Sequence, residues 1–147
     1  MLPSSPPLQV IDIVIPVYNE EAAVEAFHRS LLRVIDPLPY QFNIFYINDG
    51  SKDRTQEIVS QLAGADSRIV VVELSRNFGH QSALSAGLDL AAGDVVISMD
   101  GDGQNPPELI PQMLSLYQNG YDIVLMQRLD SLKTPLLKRW TSSGFYW

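Results

Sequence analysis

Short apolar runs alternate with longer amphipathic stretches along most of the chain. Five runs rich in Val, Ile and aromatic residues are bounded by turn-forming residues, which is the pattern of buried β-strands. They occupy residues 10–17, 42–47, 69–74, 95–99 and 121–126. The nearly continuous apolar character of residues 69–74 favours a parallel strand that is covered on both faces.

The stretches between these runs carry apolar side chains at helical spacing, which predicts four helices. Their core-facing residues are Val24, Phe27, Leu31 and Val34; Ile58, Val59 and Leu62; Ala83, Leu84, Gly87 and Leu88; and Ile110, Met113, Leu114 and Tyr117. Ala83 and Gly87 are small, so we expect the third helix to approach the sheet closely. Strict alternation of strands and helices predicts an α/β fold with a mostly parallel sheet and right-handed crossovers.

Turn and cap residues predict where the helices begin and end. Asn19 is expected to cap the first helix, and Asn105 the fourth, which opens with two prolines. Gly64 is a plausible end of the second helix, and the pair Asn119 and Gly120 closes the fourth.

The composition is that of a globular domain and narrows the classes of function. The 147 residues are 46% hydrophobic and 18% charged, which suits one domain with a sizeable core. The chain has no cysteine, which excludes disulfides, thiolate metal sites and a cysteine nucleophile. Its formal net charge of -7 argues against general binding of nucleic acid. The sequence contains neither a run of about 18 apolar residues nor a signal peptide, so we expect a cytosolic protein.

Two carboxylates follow directly after the predicted fourth strand. Asp100 and Asp102 are separated by Gly101, and the amide of Gln104 comes next. Carboxylate and carbonyl oxygens are the ligands that Mg²⁺ and Mn²⁺ prefer, so this cluster is a candidate metal site. The alternative is that the two acids only form a turn, since Asp and Gly are common in turns.

Polar residues also follow two other predicted strands, at Tyr18 to Glu20 and at Asn48 to Asp49. The carboxyl ends of parallel strands meet at one rim, so all three groups are expected there. A nucleoside diphosphate carrying a sugar would explain the set, because a metal can bridge acids to a diphosphate. The chain has no P-loop and no complete Gly-x-Gly-x-x-Gly pattern. His28 and His80 lack a recognisable Ser or Cys partner and are interpreted as structural or surface residues.

Four motifs in order resemble those of the family 2 glycosyltransferases, within the branch of dolichyl-phosphate mannose synthases and bactoprenol glucosyltransferases. The motifs are residues 15–20, 48–53, 74–81 and 99–108. This resemblance implies a GT-A, Rossmann-like fold with helices on both faces of the sheet. It also implies inverting transfer of a sugar from a UDP- or GDP-sugar to a polyprenyl phosphate at the cytoplasmic face of a membrane, with Mg²⁺ or Mn²⁺ as cofactor.

The resemblance assigns roles to individual residues. Asp100, Asp102 and Gln104 would hold the metal and diphosphate, and the first two are the candidate catalytic residues. The full set expected to contact the nucleotide sugar is Pro16, Tyr18, Glu20, Asp49, Asp100, Gly101, Asp102, Gln104 and Arg128. Three positions depart from the family pattern: Asn48 replaces an acid, and Gly101 and Gly103 replace larger residues.

The end of the chain differs from its body. Residues 127–147 hold four cations, one acid and several aromatics, which suits either the headgroup zone of a membrane or a helix packed on the domain. We expect a loose leader at residues 1–9, a nucleotide-sugar-binding domain at 10–134 and a basic, aromatic segment at 135–147.

Two alternatives to a glycosyltransferase acting on a polyprenyl phosphate stay open. One is a truncated module that binds the nucleotide sugar without turnover, since the chain ends before the acceptor-side motif of the family. The other, a processive polysaccharide synthase, is disfavoured because Leu136 stands where its Gln-x-x-Arg-Trp signature requires Gln.

Overall fold

The computed structural model describes residues 9–103 and 105–126. Four strands alternate with helices in this part of the chain. They are β1 (Val10–Val17), α1 (Val24–Ile35), β2 (Gln41–Asn48), α2 (Thr55–Ala65), β3 (Ile69–Glu73), α3 (His80–Leu90) and β4 (Val95–Ser98), followed by a 3₁₀ turn (Pro107–Leu109) and α4 (Ile110–Gln118). The second helix passes Gly64 and ends one residue later.

All four strands are parallel and lie in the order β3-β2-β1-β4. The chain therefore builds the sheet outward from β1 in one direction through β2 and β3, and then returns to place β4 on the other side of β1. This reversal is the topological switch point of a doubly wound sheet. The predicted parallel α/β fold is confirmed.

Helices cover both faces of the sheet. On one face, Ala83 and Gly87 of α3 lie against Val14 and Ile47, and a Cβ on Gly87 would collide with Val14. The predicted role of these two small residues in close packing is confirmed. On the other face, His28 of α1 is buried, with Nδ1 3.0 Å from the hydroxyl of Tyr46.

His28 has the structural role that the sequence suggested. Burial lowers the pKa of this imidazole, because the charged form would lose its hydration. The neutral ring and the hydroxyl of Tyr46 are hydrogen-bonded to each other within the core. His28 therefore contributes to packing between α1 and β2.

The amino end of the sheet is held by buried and paired acids. Asp12 is 1% exposed and accepts hydrogen bonds from Asn43 Nδ2 and from the backbone N–H groups of Ala92 and Gly93, each at 2.7 Å. Arg68, just before β3, donates to Asp66 at 2.7 Å and to Asp36 at 2.9 Å. Each of these acids therefore has specific donors.

The predicted fifth strand is wrong for residues 121–126, which form no strand. Ile123 and Leu125 are 77% and 86% exposed. An apolar run forms a strand only when a neighbouring strand offers hydrogen-bonding partners, and side-chain pattern carries no information about that partner. The apolar run at residues 121–126 therefore has the composition of a strand but does not form one.

The chain divides into two compact units, the first ending at Gln112 and the second beginning at Met113. In the second unit, α4 ends as predicted at Asn119 and Gly120. Gly120 adopts a φ of +94°, its N–H donates to the carbonyl of Tyr117, and the N–H of Tyr121 donates to that of Leu116. This is a Schellman cap, which favours glycine at the left-handed position.

Four parts of the sequence interpretation lie wholly or largely outside the described residues. They are the leader at residues 1–9, Gln104, Arg128, and the segment from residue 135 onward with the domain boundary before it. Within the part of the chain that is described, no helix is long and apolar enough to cross a membrane.

Candidate functional site

A cavity opens at the switch point, at the carboxyl ends of β1 and β4. Ligands of open α/β sheets bind in this position because the loops of the two strands lead away from each other and leave a crevice. The cavity has a volume of about 420 Å³. It is lined by Pro16, Val17, Tyr18, Glu20, Asp49, Asn77, His80, Ala83, Asp100, Gly101 and Asp102.

Seven of the nine residues that the sequence nominated for the nucleotide sugar line this cavity. The other two, Gln104 and Arg128, lie outside the described residues. Four further residues line the cavity, and the two polar ones, Asn77 and His80, were missed as site residues. Both belong to the motif at residues 74–81, which is the signal that could have found them.

The loops after β1 and β2 are joined by backbone-to-side-chain hydrogen bonds. The N–H of Asn19 donates to Ser51 Oγ at 3.0 Å, and Asn19 Oδ1 accepts from the N–H of Lys52 at 2.8 Å. Next along the chain, the N–H of Glu20 donates to Thr55 Oγ1 at 2.8 Å. These bonds fix the loop that carries Tyr18 and Glu20 against the loop that carries Asp49.

The same contacts correct the predicted cap of α1. The helix begins at Val24, with Ala23 at the N-cap and no side-chain cap. Asn19 is in the left-handed region with a φ of 54°, and its side chain bonds to the neighbouring loop instead. Asn favours caps because its short polar side chain bonds to nearby backbone groups, and here a backbone group from another loop is the partner.

Asp49 is 2% exposed and holds the loop that precedes α3. Its Oδ1 accepts from the N–H of Phe78 at 2.8 Å, and its Oδ2 accepts from the N–H of Gly79 at 2.9 Å. Gly50 has a φ of +65°, and a Cβ there would collide with the backbone of Arg76. Because each carboxylate oxygen has further lone-pair capacity, this structural role is compatible with a contact to a nucleoside.

Asn48, where the resemblance leads one to expect an acid, is buried, and both the oxygen and the nitrogen of its amide are hydrogen-bonded. Its Oδ1 accepts from the N–H of Ser51 at 3.0 Å, and its Nδ2 donates to Gln56 Oε1 at 2.8 Å. A carboxylate could accept the first bond but could not donate the second. This departure from the family pattern therefore has a local structural partner.

Gly101 lies between the two acids, at a place where the turn after β4 runs close to β1. A Cβ at this position would lie 2.7 Å from Val17 Cγ1 and 3.3 Å from Ile15 Cγ2. The missing side chain lets the turn approach β1, which brings Asp100 and Asp102 to the wall of the cavity.

Asp100 is contacted from two different elements. Asn105 Nδ2 donates to Asp100 Oδ2 at 2.9 Å, and His80 Nε2, at the start of α3, lies 3.5 Å from Oδ1. The predicted helix cap by Asn105 is wrong, because Pro106 stands at the N-cap of the 3₁₀ turn with no side-chain cap. His80 is a surface residue, as expected, but it also lies beside a candidate metal ligand.

Negative charge collects at this rim. Desolvation and, after it, the charges of Asp102, Asp53 and Asp100 raise the pKa of Glu20. A divalent cation would offset this repulsion. In the described ranges, no three His, Asp or Glu side chains converge into a closed metal site.

Two carboxylates on the wall of one cavity fit Mg²⁺ or Mn²⁺. Mg²⁺ is usually bound by one or two carboxylates together with substrate phosphates and water. Asp100 and Asp102 would be the protein ligands among the described residues. The donor set is therefore suited to a metal that arrives with a phosphorylated ligand.

The sequence model of "Glycosyl transferase family 2" matches residues 12–146. The chain belongs to this family. The match covers all four motifs and every residue that lines the cavity.

Two curated transferases are similar in sequence to this family 2 chain. A bactoprenol glucosyl transferase of Shigella phage SfV is 44% identical over 136 residues, which cover 92% of this chain and 44% of that protein. An undecaprenyl-phosphate 4-deoxy-4-formamido-L-arabinose transferase of Pseudomonas syringae is 39% identical, over 92% of this chain and 40% of that protein. The chain thus spans less than half the length of these curated relatives.

Solved structures agree with a GT-A fold for this family 2 member. S. aureus TarS superposes with a TM-score of 0.62 at 20% identity, over 87% of this chain and 38% of that one. Glucosyl-3-phosphoglycerate synthase from Mycobacterium tuberculosis, solved with Mn²⁺, UDP and glucosyl-3-phosphoglycerate, gives a TM-score of 0.57 at 26% identity, over 78% and 42% of the two chains.

Proposed function

We propose that this chain forms the donor-binding part of a metal-dependent, inverting glycosyltransferase that moves a sugar from a UDP- or GDP-sugar to a polyprenyl phosphate. One observation carries the proposal: the cavity at the switch point brings together Tyr18, Glu20, Asp49, Asp100 and Asp102. These residues follow the ends of three strands. Membership of the glycosyltransferase family supports binding of a nucleotide sugar as the function of this group of residues.

The cavity offers different groups to different parts of such a donor. The half-exposed ring of Tyr18 provides an aromatic surface for a base, and the carboxylates of Glu20 and Asp49 can accept hydrogen bonds from base and ribose. Asp100 and Asp102, with Gln104, would hold the metal. Arg128 is expected to contact phosphate.

The metal would supply positive charge at the diphosphate, which stabilises the leaving group as the bond to the sugar breaks. In an inverting transfer, an acceptor phosphate oxygen forms a new bond to the anomeric carbon from the opposite face, and the bonding pair leaves with the nucleoside diphosphate. A lipid phosphate is already ionised at neutral pH. The site therefore needs charge stabilisation more than a strong general base.

The acceptor class is proposed from relatives. The similar proteins include a bactoprenol glucosyl transferase and an undecaprenyl-phosphate transferase, and both names refer to polyprenyl lipids. Action on such a lipid would take place at the cytoplasmic face of a membrane. The cations and aromatics of residues 127–147 are suited to that surface.

Calorimetric titration with UDP and with GDP, each in Mn²⁺ and in EDTA, tests the donor site. We expect one nucleotide to bind in Mn²⁺ at least about tenfold more tightly than in EDTA, a difference of about 1.4 kcal/mol. That nucleotide identifies the donor class. Absence of binding in all four titrations would contradict the proposal.

A product assay tests turnover separately. The chain is incubated with the nucleotide sugar of the donor class and a short polyprenyl phosphate, and the glycosylated lipid is measured by mass spectrometry. Donor binding without product would favour the alternative of a binding module.

A further inference from the structure

The contact between Asn105 and Asp100 spans the turn that follows β4. Asn105 Nδ2 donates to Asp100 Oδ2 at 2.9 Å, and both residues are half-buried. Two of the four residues between them are glycines, Gly101 and Gly103, and Gly103 has a φ of +77°. The hydrogen bond therefore joins the two ends of a glycine-containing turn.

The other oxygen of Asp100 faces a second element. His80 Nε2 lies 3.5 Å from Oδ1, longer than a good hydrogen bond but close enough for electrostatic attraction. His80 begins α3, whereas Asn105 precedes the 3₁₀ turn. The carboxylate thus has a nitrogen neighbour on each oxygen, and the two neighbours come from separate parts of the sheet rim.

A carboxylate that is 45% exposed has rotamers available to it, and binding a cation would have to select one. A hydrogen bond that selects the orientation beforehand lowers that entropic cost. Partners of metal-binding carboxylates commonly have this effect, and their loss typically weakens metal affinity about 10- to 100-fold.

We propose that Asn105 is a positioning residue, which orients the Asp100 carboxylate toward the metal and diphosphate while His80 flanks the other oxygen. This inference rests on the proposed function, because it needs the metal-bound nucleotide as ligand. It also gives Asn105 a role in place of the helix cap that it does not form.

The chain contains a chemically matched pair elsewhere. Asn43 Nδ2 donates to Asp12 Oδ1 at 2.7 Å, the same amide-to-carboxylate bond. Asp12 lies at the amino end of the sheet and also accepts from the backbone of Ala92 and Gly93. Loss of the Asn43 amide should affect stability without affecting a ligand at the carboxyl end.

The test is nucleotide titration of the full chain carrying Asn105→Ala, Asn105→Gln or Asn43→Ala. UDP or GDP is used, whichever binds the parent, in Mn²⁺ and in EDTA. We expect Asn105→Ala to weaken binding about tenfold in Mn²⁺ and less than about twofold in EDTA. Asn105→Gln keeps an amide donor and should recover part of the loss, and Asn43→Ala should leave both affinities within about twofold.

A double variant shows whether Asn105 acts through Asp100. If it does, Asp100→Ala with Asn105→Ala should bind no more weakly than Asp100→Ala alone, because the carboxylate to be oriented is gone. Thermal unfolding of each variant checks that the chain is folded, and Asn105→Ser replaces Asn105→Ala if that variant is not.

The outcomes separate this inference from the proposed function. If the parent binds in Mn²⁺ and Asn105→Ala binds equally well, the positioning role is wrong and the donor site stands. An equal loss in Mn²⁺ and in EDTA also overturns it, since the effect is then independent of the metal. If the parent binds neither nucleotide, the proposed function fails and the inference falls with it.

Discussion

Both ends of the sheet carry acidic side chains, but the surroundings of these acids differ between the two ends. At the amino end, Asp12 is surrounded by three donors, and hydrogen bonds from Arg68 hold the pKa of Asp66 below its usual value. At the carboxyl end, burial and neighbouring acids raise the pKa of Glu20. The acids named at the amino end therefore stabilise the fold. At the carboxyl end Asp49 is likewise held by two backbone N–H groups, but Asp100 and Asp102 repel Glu20, and this group of acids suits a cation.

The largest expected effect is at the amino end. Asp12→Ala leaves Asn43 and two backbone N–H groups without their acceptor, so we expect the free energy of unfolding to fall by about 3 kcal/mol. Urea denaturation measures this change. If this variant does not fold, Asp12→Asn is used instead. It keeps the shape of the side chain and one acceptor oxygen, so its free energy of unfolding should fall less. A loss below about 0.5 kcal/mol in Asp12→Ala would show that Asp12 does not hold this end of the sheet.

The corresponding change at the carboxyl end should affect ligand rather than fold. Asp102→Asn removes a candidate metal ligand, and we expect nucleotide affinity in Mn²⁺ to fall about 100-fold, which is about 2.7 kcal/mol. In EDTA the affinity should barely change. Asp89→Asn, on the exposed surface of α3, removes the same charge and serves as the matched control in calorimetry. Equal losses in Mn²⁺ and EDTA would contradict a metal bridge.

A smaller effect with a defined pH dependence is expected at Asp66. Its pKa is lowered mainly by hydrogen bonds from Arg68, so the stabilisation is present above the ordinary value of 3.8 and is lost as pH falls through the lower, folded pKa. Asp66→Asn should destabilise the chain by about 1 kcal/mol at pH 7, allowing for the partial exposure of the pair. Thermal unfolding from pH 7 to pH 2 should show the difference from the parent disappearing at the acid end. A difference that persists at pH 2 would rule out this ion pair as its source.

The smallest effect has the opposite sign. Because the pKa of Glu20 is raised, its contribution to stability is most favourable below 4.5 and is lost as pH rises through the folded pKa. Glu20→Gln should therefore stabilise the chain at pH 7, by less than about 0.5 kcal/mol, and should have no such effect near pH 4. Thermal unfolding measures both, with the exposed Glu73→Gln as a charge-matched control. Destabilisation at pH 7 would mean that the rim does not repel this carboxylate.

Much of the fold was predictable because four strands depend on local side-chain pattern. Their predicted ends lie within one residue of β1, β2, β3 and β4. The site was predictable in outline for a related reason: parallel strands bring their carboxyl ends together, so polar residues at those ends had to meet. The individual nominations came from the resemblance to the family 2 motifs, and seven of the nominated residues line the cavity.

The errors concern residues whose partners are distant in the sequence. Asn19 and Asn105 both have the side chain of a helix cap, but Asn19 bonds to the loop after β2 and Asn105 to Asp100. His80 was not predicted as a site residue for the same reason, because its neighbour Asp100 is twenty residues away in the sequence. The run at 121–126 was apolar enough for a strand, but strand formation also depends on backbone partners that composition does not reveal.

The bonded loops after β1 and β2 have a consequence for motion. The amides of Asn19 and Lys52 each donate to a side chain of the opposite loop, and the amide of Glu20 donates to Thr55 at the start of α2. None of the three can exchange without breaking a contact between these two segments. We expect these three amide protons to exchange with deuterated water at similar rates, through one shared local opening. Hydrogen exchange followed by NMR would show whether the loop that carries Tyr18 and Glu20 opens together with the segment that follows β2, as one unit.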